Sequence, residues 1–439
     1  MKNQFGGVRL ITIIGVILIS AVILLVIIFF AGLNDHEEVS KNNILTNTYT
    51  SDTPADIKEE NTNFELSFLK LEDKQENIIY SPLSIKYALK MLQEGASDNT
   101  YTQIEEIVGN SNLPTYSNIE NTLSLANGIF IRDTYYQYVK DDYKNVLESK
   151  YNAEIRQDEF QSANNVNSWI AEKTFGKIEN MLTDELVTNS DLQMLLINAL
   201  AIDMEWKIQF EDDKTGGRQF YLADGTEMTA TTMSRTTSSD DVSYYMGDDI
   251  TAITIDLKEY EGTQLEFMAL MPNTNLEQYV DSLTMDKIEE ITQNLNSASN
   301  TKAGVNINIP KFEFDYDLNL KDNLRKLGIT DAFTPQLANF SNMADLEKTQ
   351  KNLYTSDALH KANIEFSEEG IKAAAVTVFG MMEATSSIGV KNEIPIEINI
   401  NNPFVFLIRD KNTKEIWLVG TVYEPNSWED DKQDYSIQW

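Results

Sequence analysis

The chain has 439 residues, 42% of them hydrophobic and 24% charged, which is ordinary globular usage in a chain long enough for a large core. A formal net charge of -34 argues against nucleic acid as a partner, because phosphate binding needs clustered Lys and Arg. There is no cysteine, and His36 and His360 are the two histidines, so disulfides, thiolate catalysis, cysteine-ligated zinc and histidine triads lack material.

Leu10 to Gly32 is free of charge over 23 residues, bounded by Arg9 and Asp35. That length crosses a bilayer as a tilted helix. Lys2 and Arg9 before it, with Asp35, Glu37 and Glu38 after it, place the amino terminus inside and the rest of the chain outside. A cleavable signal peptide, leading to a secreted protein, is the competing reading, although its apolar region is normally shorter. The expected organisation is a cytoplasmic stub and transmembrane anchor over residues 1–33, then a polar tether over 34–63. A folded domain over 64–425 and an acidic tail over 426–439, with no evident element, complete it.

In the folded part, Ser81-Pro82-Leu83-Ser84 opens a helix that carries Ile85, Ala88, Leu89 and Leu92 and ends near Gly95. Val166 to Met181 is a second helix candidate. Leu195 to Met204, apolar almost throughout, reads as a strand buried on both faces. Thr251–Leu257, Gln264–Met271 and Val305–Phe314 are further strands, and Leu318–Leu327 is a helix stopped by Gly328. Pro403–Arg409 and Ile416–Val422 form a terminal hairpin. The class is α+β.

Between these last elements lies the most informative stretch. In His360–Phe366 the residues Ala362, Ile364 and Phe366 alternate on one face of a strand, which ends in the acidic turn Glu368-Glu369-Gly370. The small residues Ala373, Ala374, Ala375 and then Thr377 follow. By residue type alone Ile371–Phe379 suits an alanine-rich helix, or a segment that slides between strands already in place.

Motifs for enzymatic chemistry are absent: there is no G-x-S-x-G elbow, phosphate loop, dinucleotide fingerprint or HExxH helix. Asp315-x-Asp317-x-Asn319 imitates the start of a calcium loop, but Leu320 and Lys326 stand where glycine and glutamate are needed, so it reads as strand-to-helix punctuation. A lone His360 in strand-like sequence reads as an interior group rather than a catalyst. Neither an enzyme, a metal nor a cofactor is expected.

Taken together, six ordered motifs resemble the serpin family. They are Asn77–Ile85, Val166–Trp169 through Ile178, and Leu196–Ala199 with Trp206 and Phe210. Pro310-Lys311-Phe312 with Leu327–Ile329 and Ala332-Phe333, the hinge itself, and Pro403–Phe406 complete the series. The resemblance implies an α+β serpin fold, with three β-sheets, about nine helices and an exposed reactive-centre loop. It implies a monomeric inhibitor of serine proteases, trapped as acyl-enzymes when the cleaved loop inserts into the central sheet.

The same resemblance implies roles for single residues. The hinge is Glu368, Glu369, Gly370, Ile371, Ala373, Ala374, Ala375 and Thr377, with Ile371, Ala373, Ala375 and Thr377 facing one side after insertion. Ser81, Ser84, Asn198 and His360 match the polar cluster where the strands part, and Trp206 matches the opening end of the sheet. Ala384 stands fourteen residues beyond Gly370, so the scissile bond falls at Ala384–Thr385, with Met382 and Glu383 as alternatives for the residue before it. Alanine there suits elastase-like or subtilisin-like proteases. Ile371 departs from the Thr or Ser usual in inhibitory relatives.

Overall fold

The computed structural model describes residues 21–33, 63–72, 75–237, 242–298, 304–371 and 395–435. Its strands, numbered along the chain, form three sheets among these residues. The main sheet runs β4 (Glu154–Asp158), β3 (Leu123–Arg132), β5 (Leu192–Ile202), β1 (Ala21–Leu33), β14 (Lys351–Phe366), β15 (Gly370–Ile371) and β6 (Met204–Glu205), and β13 (Phe312–Leu318) also pairs with β14. The second runs β2 (Ile78–Tyr80), β18 (Ile416–Val422), β17 (Phe404–Asp410), β11 (Thr263–Pro272), β10 (Ile250–Tyr260) and β9 (Val242–Met246). The third runs β16 (Ile396–Asn399), β12 (Val305–Pro310), β8 (Glu227–Thr237) and β7 (Gly216–Tyr221). Twelve α-helices occur among the described residues, three of them of only four residues.

Strand β5 is buried along its whole length, as its largely apolar run, broken by Gln193 and Asn198, requires. The helix Pro82–Gly95 packs beneath it. Ser81 caps that helix by accepting from the Ser84 amide, and Pro82 occupies its first turn, where no amide hydrogen is needed. The opposite face of the sheet carries the helix Asn164–Lys173, whose Trp169 meets Phe130 edge-on at 5.7 Å. That helix is shorter than its apolar pattern suggests, because Phe175 and Gly176 both adopt left-handed backbone (φ 54° and 76°) and end it. Val305–Phe314 is likewise two strands: the chain turns at Pro310-Lys311 and passes from the third sheet to the main one.

The carboxy-terminal segment departs from expectation too. Trp428–Tyr435 is a helix packed on the third sheet, and Trp428 covers Gly217 so closely that a Cβ there would lie 2.6 Å from its ring. An apolar anchor residue gives this acidic stretch an element that its charge pattern hides.

The expected membrane anchor is not confirmed at the amino terminus. Ala21–Leu33 is a strand of the main sheet, not part of a membrane-crossing helix, and no helix among the described residues is long and apolar enough to cross a membrane. It runs antiparallel to both neighbours, with Ala21 opposite Ile202 of β5 and Leu33 opposite Lys351 of β14. Leu25, Ile27 and Phe29 enter the core beneath the sheet, while Val26 and Ile28 pack under the helix Asn164–Lys173. A run that is apolar on every side fits either a bilayer or a strand covered on both faces. The β-branched Val26, Ile27 and Ile28 favour the strand.

Candidate functional site: the hinge and the central slot

Strand β14 ends as its alternation requires, with His360, Ala362, Ile364 and Phe366 buried on one face. Phe366 stacks on Phe312 at 4.6 Å and meets Trp206 edge-on at 5.1 Å, so the end of the strand is locked by rings. The turn beyond it is held by backbone groups. Trp206 donates from Nε1 to the Ser367 carbonyl at 2.8 Å and from its amide to the Glu369 carbonyl at 2.9 Å, and the Phe210 amide donates to the Glu368 carbonyl at 2.9 Å. Trp206 thus grips the turn.

The Glu368 carboxylate is almost fully buried. It accepts from Thr215 Oγ1 at 2.8 Å and pairs with Lys311 Nζ at 3.0 Å. Thr215 carries no sequence signal of a site residue, and Lys311 enters only as part of a signature; their partnership with Glu368 arises from distant segments of the chain. Gly370 and Ile371 then enter the top of the sheet. Gly370 lies opposite Glu205, and Ile371 opposite both Met204 and Phe366. A glycine at this turn is expected to supply freedom for a bend. The structure adds a tighter requirement, since a Cβ at Gly370 would stand 2.2 Å from the Met204 carbonyl oxygen. Ile371 is completely buried. Ala373, Ala374, Ala375 and Thr377 of the hinge lie outside the described residues, as do Met382, Glu383, Ala384 and Thr385.

Lower in the sheet, Ser81 bonds to both Ser84 and His360, and Asn198 and His360 both lie opposite Leu25 of β1. The Ser81 amide donates to His360 Nε2 at 3.2 Å, so the proton of the neutral ring sits on Nδ1. Burial holds the imidazole neutral, with its pKa pushed down to about 3. Asn198 Nδ2 donates to Asn127 Oδ1 at 2.8 Å, and Asn127 in turn donates to the Tyr151 carbonyl at 2.9 Å. Ser84 Oγ, Asn198 Oδ1 and His360 Nδ1 are buried with no hydrogen-bond partner. The residue opposite both Asn198 and His360 is Leu25 of β1, which can bond to neither. Asn127 and Leu25 have no local signature of a site residue, because only the register of three strands brings them there. No three His, Asp or Glu side chains among the described residues gather as a metal site.

A strand hinge at the top of a main sheet, a polar cluster beneath its centre and two flanking sheets define the fold class. A family model described as serpin (serine protease inhibitor) matches residues 59–425, and the chain belongs to that family. It is 28% identical over 407 residues to human Serpin B4, covering 84% of this chain and 99% of that protein. It is 27% identical over 434 residues to an uncharacterized serpin-like protein of Methanosarcina mazei, covering 91% and 95%. The leukocyte elastase inhibitor of Xenopus tropicalis is 29% identical over 374 residues, covering 80% of this chain and 93% of that protein. Among solved structures, the thermophilic serpin tengpin in its native state superposes with a TM-score of 0.65 at 27% identity, covering 90% of this chain and all of that one.

Proposed function

We propose that this chain inhibits extracellular serine proteases by offering its reactive loop for cleavage and trapping the acyl-enzyme as the loop inserts into the main sheet. The observation that carries the reading is β15: Gly370 and Ile371 already pair between Phe366 and Met204, so the hinge is started into the sheet. Insertion of the remaining hinge would extend an existing strand rather than nucleate one. The scissile bond is Ala384–Thr385, with Met382 and Glu383 as the neighbouring choices. A small primary residue suits elastase-like or subtilisin-like enzymes, and the similarity to an elastase inhibitor supports the former.

The test is incubation with a panel of serine proteases, both without lipid and with phosphatidylcholine vesicles that can take up β1, followed by denaturing electrophoresis and mass determination of the released carboxy-terminal peptide. A complex that survives denaturation and a peptide beginning at Thr385 are expected; cleavage without complex for every protease overturns the reading.

A second reading, a non-inhibitory surface binding protein with the same fold, is favoured by one observation. Strand β1 fills the place between β5 and β14 that an inserted loop would need. Residence on the outer face of a membrane rests on the uncharged run Leu10–Gly32 and the basic residues before it. It requires Ala21–Leu33 to leave the sheet.

A further inference from the structure

We propose that Ala21–Leu33 is an internal stand-in for the reactive loop, which holds the inhibitor off while it occupies the main sheet and releases it when the segment passes into a lipid bilayer. This rests on the loop-insertion reading above and concerns its regulation.

Strand β1 lies between β5 and β14 and runs antiparallel to both. Strand β15 enters the same gap from above in the same direction, with Ile371 opposite Met204. Continued down the gap on insertion, that register would bring Ala373 opposite Ile202, where Ala21 already pairs. The hinge and β1 therefore claim one line of backbone hydrogen bonds, and each excludes the other.

The chemistry of the slot favours the hinge. The register that sets Ile371 opposite Met204 and Phe366 would set Thr377 opposite Asn198 and His360, the two residues that Leu25 now faces. Asn198 Oδ1 is a buried acceptor without a donor, and His360 Nδ1 is a buried donor without an acceptor. One hydroxyl between them donates to the first and accepts from the second; a leucine does neither. The slot is thus polar-matched to Thr377 and only apolar-matched to β1.

What removes β1 must accept a long apolar strand. Leu10 to Gly32 carries no charge, the property that lets a segment cross a bilayer. In the sheet β1 meets its backbone groups with β5 and β14; in lipid it would meet them as a helix.

The absence of cysteine makes the test direct. In the full chain, Ile27→Cys with Ala358→Cys places a thiol pair across the β1–β14 register, and Val26→Cys with Ile197→Cys does so across β1–β5. Mild oxidation is expected to link either pair in the folded protein. Linked chain is expected to be cut in the loop with at least a tenfold loss of protease complex and no rise in Tm on cleavage. The same chain reduced and mixed with phosphatidylcholine vesicles is expected to trap protease and to gain stability on cleavage. Thiols of both pairs that stay free in folded protein overturn the proposal. So does linked chain that traps as well as reduced, or reduced chain with vesicles whose Tm does not rise on cleavage. A rise in Tm without trapping supports the stand-in and counts against the inhibitor reading alone.

Discussion

Gly370 and Met204 approach so closely that only a glycine fits, because a Cβ on Gly370 would stand 2.2 Å from the Met204 carbonyl oxygen. Backbone cannot yield as a flexible side chain does. Gly370→Ala is therefore expected to destabilise the chain by about 1–3 kcal/mol, read as a lower urea midpoint, and to expose the hinge to limited proteolysis. An unchanged midpoint would show that β15 does not occupy the top of the sheet.

Ile371 is completely buried between Phe366 and Met204. A charge there has no partner and cannot be desolvated cheaply. Ile371→Arg is expected to leave the loop cleavable while reducing protease complex by tenfold or more in the presence of phosphatidylcholine vesicles, scored as complex against cleaved chain on denaturing gels. Ile371→Thr, with a hydroxyl of modest size, is expected to retain trapping. Undiminished trapping by Ile371→Arg would place the insertion path elsewhere.

Glu368 fastens the turn through Lys311 and Thr215. Breaking a fully buried pair costs about 3–5 kcal/mol, and the partial exposure of Lys311 lowers the expectation for Glu368→Ala to about 2 kcal/mol. The loss should be local: faster hydrogen exchange of the Ile371 amide, with little change at β17 and β18. Uniform acceleration across the protein would deny Glu368 its place as a latch.

His360 makes stability depend on pH in a defined window. Its imidazole has an ordinary pKa of 6.5 in the unfolded chain and one pushed down to about 3 by burial in the folded protein. Between these values the unfolded chain binds a proton that the folded chain does not. Stability is therefore retained above pH 6.5 and lost as pH falls, by about 1.4 kcal/mol per unit and about 2 kcal/mol by pH 5. Urea midpoints at pH 7.5 and pH 5.0 should differ by that much more in the natural chain than in His360→Asn. Equal slopes would mean that the ring is solvated.

Much of the site is legible in the sequence. Ser81, Ser84, Asn198 and His360 sit in segments with strong local signatures, and Trp206, Glu368 and Gly370 flank recognisable strands. Their order along the chain suffices to group them. Leu25, Asn127, Thr215 and Lys311 do not group with them by sequence, because each joins the site through pairing across more than fifty residues or through a sheet register. A one-residue change of register would turn Leu25 of β1 and Asn127 of β3 to the opposite face.

The apolar run at the amino terminus shows the division most clearly. Its composition alone determines that Ala21–Leu33 must leave water, since a segment without charge or polar face has no stable exposed state. Composition cannot determine what receives it, because lipid and a doubly covered strand make the same demand on side chains. That choice depends on whether two long strands lie far enough apart to take a third between them and pair with it on both sides. The gap between β5 and β14 is a property of the tertiary structure, and there β1 is found, with Leu25 where the chemistry of Asn198 and His360 asks for a hydroxyl.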